Sequence, residues 1–399
     1  MARLYFDRFS PPHMTTLIVA TATGALTMNV FLPSLPGMAE YFQADYKVVQ
    51  LAISLYLAAT AFLQLFIGPA SDRFGRRPVM LACFAVFITG TVAALFAPTI
   101  ELFLACRLAQ AFSAAGMVLS RAVVRDTVGA GDAASMIGYV TMGMALVPMV
   151  APMLGGFLDE IYGWKASFVL TLAFGIAAMT IIYFDLGETV ASRTASITAQ
   201  FRAFPMLLRS RLFWGYTATA TLASGAFFAF VGGGPYVATE ILGLSPSGYG
   251  IYFGIISCGY IVGNFLSGRL SRRLGINRMM LIGNVVATAG AALALVLFAA
   301  GLEHALSLFG PAIFLGLGNG LTLPNANAGI VSARPDLAGS ASGLGGAIQI
   351  GGGALLSVLA GMLLSPSSGP YPLLAIMLVS AFAAAFATLY VMRVGVGDT

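Results

Sequence analysis

Gly68-Pro69-Ala70-Ser71-Asp72-Arg73-Phe74-Gly75-Arg76-Arg77-Pro78 is a short, charged, glycine-punctuated stretch set between two long apolar runs. Asp72, Arg73, Arg76 and Arg77 are too polar for hydrocarbon, so the stretch marks a turn at a membrane surface. Its surplus of arginine selects the cytoplasmic face, because short loops on that side keep Lys and Arg. Within it, Gly68 is expected to let two helices approach closely, and Gly75 to permit a turn that a β-carbon would resist. Asp72 falls at a helix end, where an arginine or a neighbouring helix N-terminus can hold it. A loop that needed only positive charge would not require glycines at this spacing.

The rest of the chain agrees with a membrane reading. Its 399 residues are 59% hydrophobic and only 9% charged, too apolar for a soluble domain of that length. Twelve spans of about 20 residues would use roughly 240, which leaves enough for loops but not for a separate soluble domain. Apolar runs fall at 14–38, 47–69, 78–98, 102–124, 135–158 and 166–184, and again at 212–237, 248–268, 279–300, 306–331, 340–364 and 371–392. The expected fold is therefore an all-α membrane protein of twelve transmembrane helices in two pseudo-symmetric six-helix bundles. The run that begins near Met14 reaches Pro36, long enough to span, and reads as a retained first helix rather than a cleaved signal.

Charge sorts along this pattern. Arg73, Arg76, Arg77, Arg125, Arg272, Arg273 and Arg393 all fall on the side of the opening stretch, whereas Lys47 and Lys165 fall on the other. That asymmetry places both termini in the cytoplasm. Residues 185–211 form the one long polar connection, with an apolar stripe through Phe201, Phe204 and Leu208 that suggests a short interfacial helix. The expected organisation is a first bundle over 1–184, a cytoplasmic linker over 185–211 and a second bundle over 212–399. A repeat supports that division. At an offset of 200 residues, Gly268, Ser271, Arg273 and Gly275 fall under Gly68, Ser71, Arg73 and Gly75, with Arg272 in the place of Asp72.

The composition also excludes several classes. The 20 Lys and Arg against 15 Asp and Glu are spread over short loops without interleaved aromatics, so no nucleic-acid surface is expected. Cys83, Cys106 and Cys258 stand singly in apolar runs, and His13 and His304 are isolated near span edges. Neither a disulfide framework nor a metal site is expected from these residues. No nucleophile–base arrangement is visible either, so the chain reads as neither an enzyme nor a cofactor carrier.

Polar residues inside spans mark function. Arg107 and Arg121 both lie in the fourth run, 14 residues apart, which is about 21 Å of rise on nearly one helical face. Arg107 is expected at the outer part of a central cavity and Arg121 at its inner mouth. Pro148 and Pro152, followed by Gly155 and Gly156, would bend the fifth helix and let it pack closely. Met142, Phe230, Tyr236 and Tyr260 suit a permissive apolar pocket.

These segments carry a resemblance. The stretch at 68–78 resembles the G-x-x-x-D-R-x-G-R-R/K loop of the major facilitator superfamily, and Arg107-Leu108-Ala109-Gln110-Ala111 resembles its R-x-x-Q-G segment, with Ala111 at the usual glycine. Gly143 to Gly156 looks like the proline–glycine pattern of its antiporter branch. With Tyr56 and Gln64, with Arg121 to Asp126, and with Asn319, Thr322, Pro324 and Asn325, the whole chain is similar to the Bcr/CflA-type drug–proton antiporters. The resemblance implies the major facilitator fold, alternating access and multi-pass residence in the bacterial inner membrane. It further implies a monomer that exchanges protons for a drug-like amphiphile, multidrug or amphenicol in type. Substrate would meet Asn29, Tyr56, Arg107, Gln110, Met142, Phe230, Tyr236, Tyr260 and Asn325. Coupling or gating would fall to Asp72, Arg73, Arg76, Arg121, Asp126, Pro148 and Pro152.

One departure qualifies that expectation. The family often carries an aspartate in a D-x-x-L-P context in the first span, and here the run is Asn29-Val30-Phe31-Leu32-Pro33. Asparagine releases no proton, so coupling must use another group, such as Asp126 or Asp72, or be absent. The alternative is a facilitator or uptake carrier for an organic anion or zwitterion without proton coupling. A membrane enzyme would need intramembrane Asp, His or Cys clusters that the chain lacks.

Overall fold

A computed structural model of the chain describes residues 10–127, 130–190, 204–334 and 337–397; between 130 and 146 only the side chains of Met136 and Val140 are described, and none is at 395–397. Long helices dominate it: α1 Met14–Phe42, α2 Tyr46–Phe74, α3 Arg76–Leu95, α4 Ile100–Thr127, α5 Ala130–Tyr162, α6 Lys165–Asp185, α7 Arg211–Ile241, α8 Pro246–Leu274, α9 Ile276–Ala299, α10 Ala305–Ser332, α11 Ala338–Leu363 and α12 Tyr371–Val394. Among the described residues, eleven of these are long and apolar enough to cross a membrane. The remaining one, α5, runs for 33 residues.

Three helices are jointed. A 3₁₀ turn at Leu32–Ser34, with Pro33 in its first turn, breaks α1. A second break falls at Gln50 in α2, and a 3₁₀ turn at Ala111–Ser113 interrupts α4 where Ala111 stands at the expected glycine. His13 and His304 prove to be N-caps, each accepting a backbone N–H two residues on. The interfacial helix expected in the linker survives as a short helix over 204–208. Phe201 and residues 191–200 lie outside the described residues.

The opening stretch differs from its sequence reading in two ways. It is not a loop: α2 continues through Pro69 to Phe74, and α3 begins at Arg76. The corner between them is Gly75 alone, with φ at 104°, a backbone region open mainly to glycine. The second difference concerns Gly68. A β-carbon there would meet nothing within 4 Å, so Gly68 does not serve a close helix approach. The repeat holds at the corner, since Gly275 also joins two helices with φ at 82°. Arg272 and Arg273 stand exposed there.

Apolar packing divides the molecule by height. At the end away from the arginines, Phe31, Leu35 and Ile53 of the first six helices share one continuous core with Phe230, Tyr249 and Phe309 of the last six. At the arginine-rich end the cores separate. Leu17, Met80, Phe84 and Val123 form one, and Phe213, Met280, Ile330 and Val391 form another, against which Leu65 of α2 packs. Among the described residues, the two six-helix sets thus share one apolar core at one end and hold separate cores at the other. Close backbone approach builds the seal: a β-carbon on Gly156 would strike the backbone of Pro246, and one on Gly250 that of Pro152.

Two substitutions in the opening stretch should separate sharply. Gly75→Ala meets both the positive φ and the carboxylate of Glu188, and should lower stability by about 1–3 kcal/mol. Gly68→Ala adds a methyl into open space within a helix, and should stay within about 1 kcal/mol of the parent on the stable side. Thermal unfolding midpoints of the purified variants check both. Equal effects at the two positions would sink the account of the corner.

Candidate functional site

Three polar constellations organise the molecule, and the first centres on Arg107. This side chain is wholly enclosed, and its Nε donates to the carbonyl of Ala52 at 3.1 Å while a terminal nitrogen donates to that of Thr27 at 3.4 Å. It also donates to Oε1 of Gln110, whose amide passes on to Thr91 at 3.0 Å. The rings of Phe31, Tyr56 and Phe168 lie 4.4, 4.7 and 6.0 Å from the guanidinium. Tyr56 in turn donates to the carbonyl of Gly24 and meets Ser113, each at 3.0 Å. Arg107 therefore ties α1, α2, α4 and α6 together without any carboxylate.

The second constellation surrounds the corner at Gly75. Arg76 bridges Asp72 and Asp126, the latter at 2.9 Å, and its side chain also reaches Ser71. The backbone N–H of Arg76 donates to Glu188 at 2.9 Å, and Thr189 donates to Asp126 at 3.2 Å. The start of the linker is thus fastened to the charged corner, with Glu188 satisfying a free N–H at the head of α3. Arg73 stays outside this network, exposed beside the ring of Phe74. Glu188 was not legible in advance, because nothing local distinguishes it from any acid in a polar connection.

The third joins the two halves at the sealed end. Gln50, buried at the joint of α2, donates to the carbonyl of Ser357 at 2.6 Å and to its hydroxyl at 3.1 Å. Its side chain fills the space that a β-carbon on Gly232 or Gly361 would take. Tyr46 reaches the carbonyl of Gly232 at 3.5 Å, and the N–H of Ser247 donates to Glu160 at 3.1 Å. The sequence reading missed Gln50 and Ser357. A lone amide at the head of an apolar run was the available signal.

The remaining candidates scatter. Phe230 is fully buried in the shared core, and the ring of Tyr236 lies tilted against that of Tyr46 at 5.0 Å, so both belong to the seal. Asn325 is buried and ties α10 to Ser267 of α8 at 2.8 Å. Asn29 is buried, its amide bonded to the carbonyl of Ala25 at 2.7 Å, while its Oδ1 has no partner. No hydrogen bond joins Asn29 to Arg107 among the described residues. Pro148 and Pro152 lie inside α5, and the side chain of Met142 lies outside the described residues. Arg121 and Tyr260 are both half-buried and lie on opposite halves. Among the described residues, no cluster of His, Cys, Asp or Glu could hold a metal ion.

Known proteins share this arrangement. The model of the Major Facilitator Superfamily matches residues 17–355 and 234–397. An uncharacterised MFS-type transporter of Bacillus subtilis (strain 168), YdgK, is 32% identical over 382 residues, 94% of each chain. A bicyclomycin resistance protein homolog of Haemophilus influenzae is 27% identical over 369 residues, covering 89% of this chain and 92% of its own. The partially occluded, inward-open xylose transporter XylE of E. coli superposes with a TM-score of 0.75 at 12% identity, over 98% of this chain and 97% of its own, a likeness of fold.

Removing the Arg107 guanidinium strands Gln110 and two carbonyls. Arg107→Leu should destabilise the purified protein by on the order of 3 kcal/mol, since bonds from a charged donor are the strong ones. Arg107→Lys should fall between, because an ammonium cannot span the same acceptors in the plane of three rings. Thermal unfolding in detergent decides it, and unchanged midpoints would show that the helices hold together without this residue.

Proposed function

The chain belongs to the major facilitator superfamily, and we propose that it exports small amphiphilic drugs across the bacterial inner membrane in exchange for protons. The observation that carries this reading is the division of the core by height, one shared at one end and two separate at the other. A two-bundle protein sealed at a single end exposes its centre to one side at a time when the bundles rock. Export of drug-like compounds is supported by the relative named for bicyclomycin resistance.

With the arginine-rich end in the cytoplasm, the shared core lies on the outer side, which supports an inward-open reading. Substrate enters between the halves, the inner end closes, and the seal of Gln50, Ser357 and the α5–α8 contact parts to release it outside. Residues 1–184 and 212–399 act as the rocking units and 185–211 as their tether, within a monomer. The network at Gly75 is the coupling element in this reading. Protonating Asp72 or Asp126 weakens its hold on Arg76, and both stand at the inner mouth where protons are delivered.

One observation favours a second reading. Asn29 stands where the family often has an acid, and the carboxylates of the described spans, such as Asp72, Glu101, Asp126 and Asp185, lie close to helix ends. A facilitator or uptake carrier for organic anions or zwitterions would not need a deeper one.

Proteoliposomes loaded with a pH-sensitive dye under an imposed pH gradient separate the two. Adding neutral and cationic drugs should evoke proton movement with each saturable substrate flux. Flux with no proton signal would support the uncoupled carrier instead. Asn29→Asp should increase the pH dependence of transport or the transport of cations, and no change in either removes Asn29 from the site. Oxidising a Gln50→Cys/Ser357→Cys pair should abolish transport reversibly. Undiminished transport by the cross-linked protein would mean that the seal need not open.

A further inference from the structure

One helix of the second half, α11, is held at its two ends by different parts of the molecule. Its inner turns sit in the second-half core, where Ala341 and Leu344 pack with Phe213, Tyr216 and Ile330. Its outer turns reach the first half. Ser357 accepts from Gln50 at 2.6 Å on its carbonyl and 3.1 Å on its hydroxyl, and Ala354 and Ala360 share the core of Leu35 and Ile53. Rocking of one half against the other therefore loads α11 between these attachments. Gly351-Gly352-Gly353 lies there, in an otherwise continuous helix.

Packing accounts for two of the three glycines. A β-carbon on Gly352 would strike the methyl of Thr221, and one on Gly353 the ring of Phe228, both on α7. At Gly351 it would rest in ordinary contact with the β-carbon of Ala61, at 3.8 Å. Alanine would fit there and favour the helix, so packing gives no reason for glycine. A second observation comes from α7. Thr23, Thr91, Thr219 and Thr388 each return the hydroxyl to the carbonyl four residues back. Thr217 and Thr221 do not, and among the described residues their buried hydroxyl oxygens have no partner. Both face glycines of α11. Thr217 Oγ1 lies 3.6 Å from where a β-carbon on Gly345 would stand, and Thr221 packs on Gly352. Bending a helix frees carbonyls of the preceding turn, and Ser and Thr hydroxyls re-satisfy such groups in membrane helices.

We propose that Gly351-Gly352-Gly353 is a hinge within α11. The inner segment, 338–350, stays with the second-half core. The outer segment, 354–363, swings once Gln50 releases Ser357, and the idle hydroxyl of Thr221 takes a carbonyl that the bend frees. The hinge rests on the rocking of the two halves proposed above, but not on what they carry. It divides outer opening into the release of one amide and the bend of one helix, so α11 keeps its inner packing while the seal parts.

Double electron–electron resonance on spin-labelled pairs tests it, with the full chain in lipid nanodiscs and the exposed Cys258 replaced by serine. Met362→Cys/Leu302→Cys spans the outer end of α11 and the α9–α10 connection, and Ser342→Cys/Leu274→Cys spans the inner end of α11 and the end of α8. All four positions are exposed and lie in the second half. At about 1.5 Å per residue the outer segment is about 15 Å long, so a kink of about 20° moves its end by about 5 Å. In Gln50→Ala the outer pair should gain a second distance shifted by about that much, while the inner pair keeps one. Adding Gly351→Ala, or Thr221→Val, which keeps the shape and loses the hydroxyl, should remove most of the second distance. A single outer distance in Gln50→Ala, an inner pair that shifts with the outer one, or a second distance undiminished by Gly351→Ala would overturn the hinge. Absence of proton-coupled drug flux in the wild type, with these distances as expected, would sink the exporter reading and leave the hinge standing.

Discussion

A guanidinium in hydrocarbon must find acceptors, and the first half of this protein is arranged around that requirement. Arg107 draws carbonyls from α1 and α2, an amide from its own helix and rings from α1, α2 and α6. The 3₁₀ turn at Ala111–Ser113 follows directly, and Ser113 returns to Tyr56, so the irregular part of α4 is itself bonded into the cluster. A rigid bundle results, and rigidity within each half is what allows motion to be confined to the boundary between them.

That boundary is uneven. At the sealed end it is made of glycine–backbone contacts, aromatic packing and the amide of Gln50, all short-range and all-or-none. At the arginine-rich end the polar groups described are satisfied within one half, as in the Arg76 network, or stay part-exposed, as at Arg121. Tight apolar contact with a buried amide favours a two-state interface over a gradual one.

The fold was legible in the sequence because its causes are local. Apolar length set the spans, and Gly75 and Gly275 set the two corners. Helix ends were misplaced by four or five residues at α1 and α2, expected to stop at 38 and 69, because the helices run on through polar residues to Phe42 and Phe74. The candidate site was legible only in part. Arg107, Gln110 and Tyr56 do meet, but Phe230 and Tyr236 lie in the seal, since an aromatic looks the same in sequence whether it packs or binds. Gln50, Ser357 and Glu188 acquire meaning only from partners more than 100 positions away, which no local pattern encodes.

The corners at Gly75 and Gly275 hold nearly the same backbone angles, although one is wrapped in salt bridges and the other carries exposed arginines. Shape and charge are therefore inherited separately at this point. A φ value preserved by a missing β-carbon keeps the duplicated scaffold in register, while the side chains around it are free to diverge. Two equivalent halves can in this way carry one corner locked by salt bridges and one with exposed arginines on the same backbone shape.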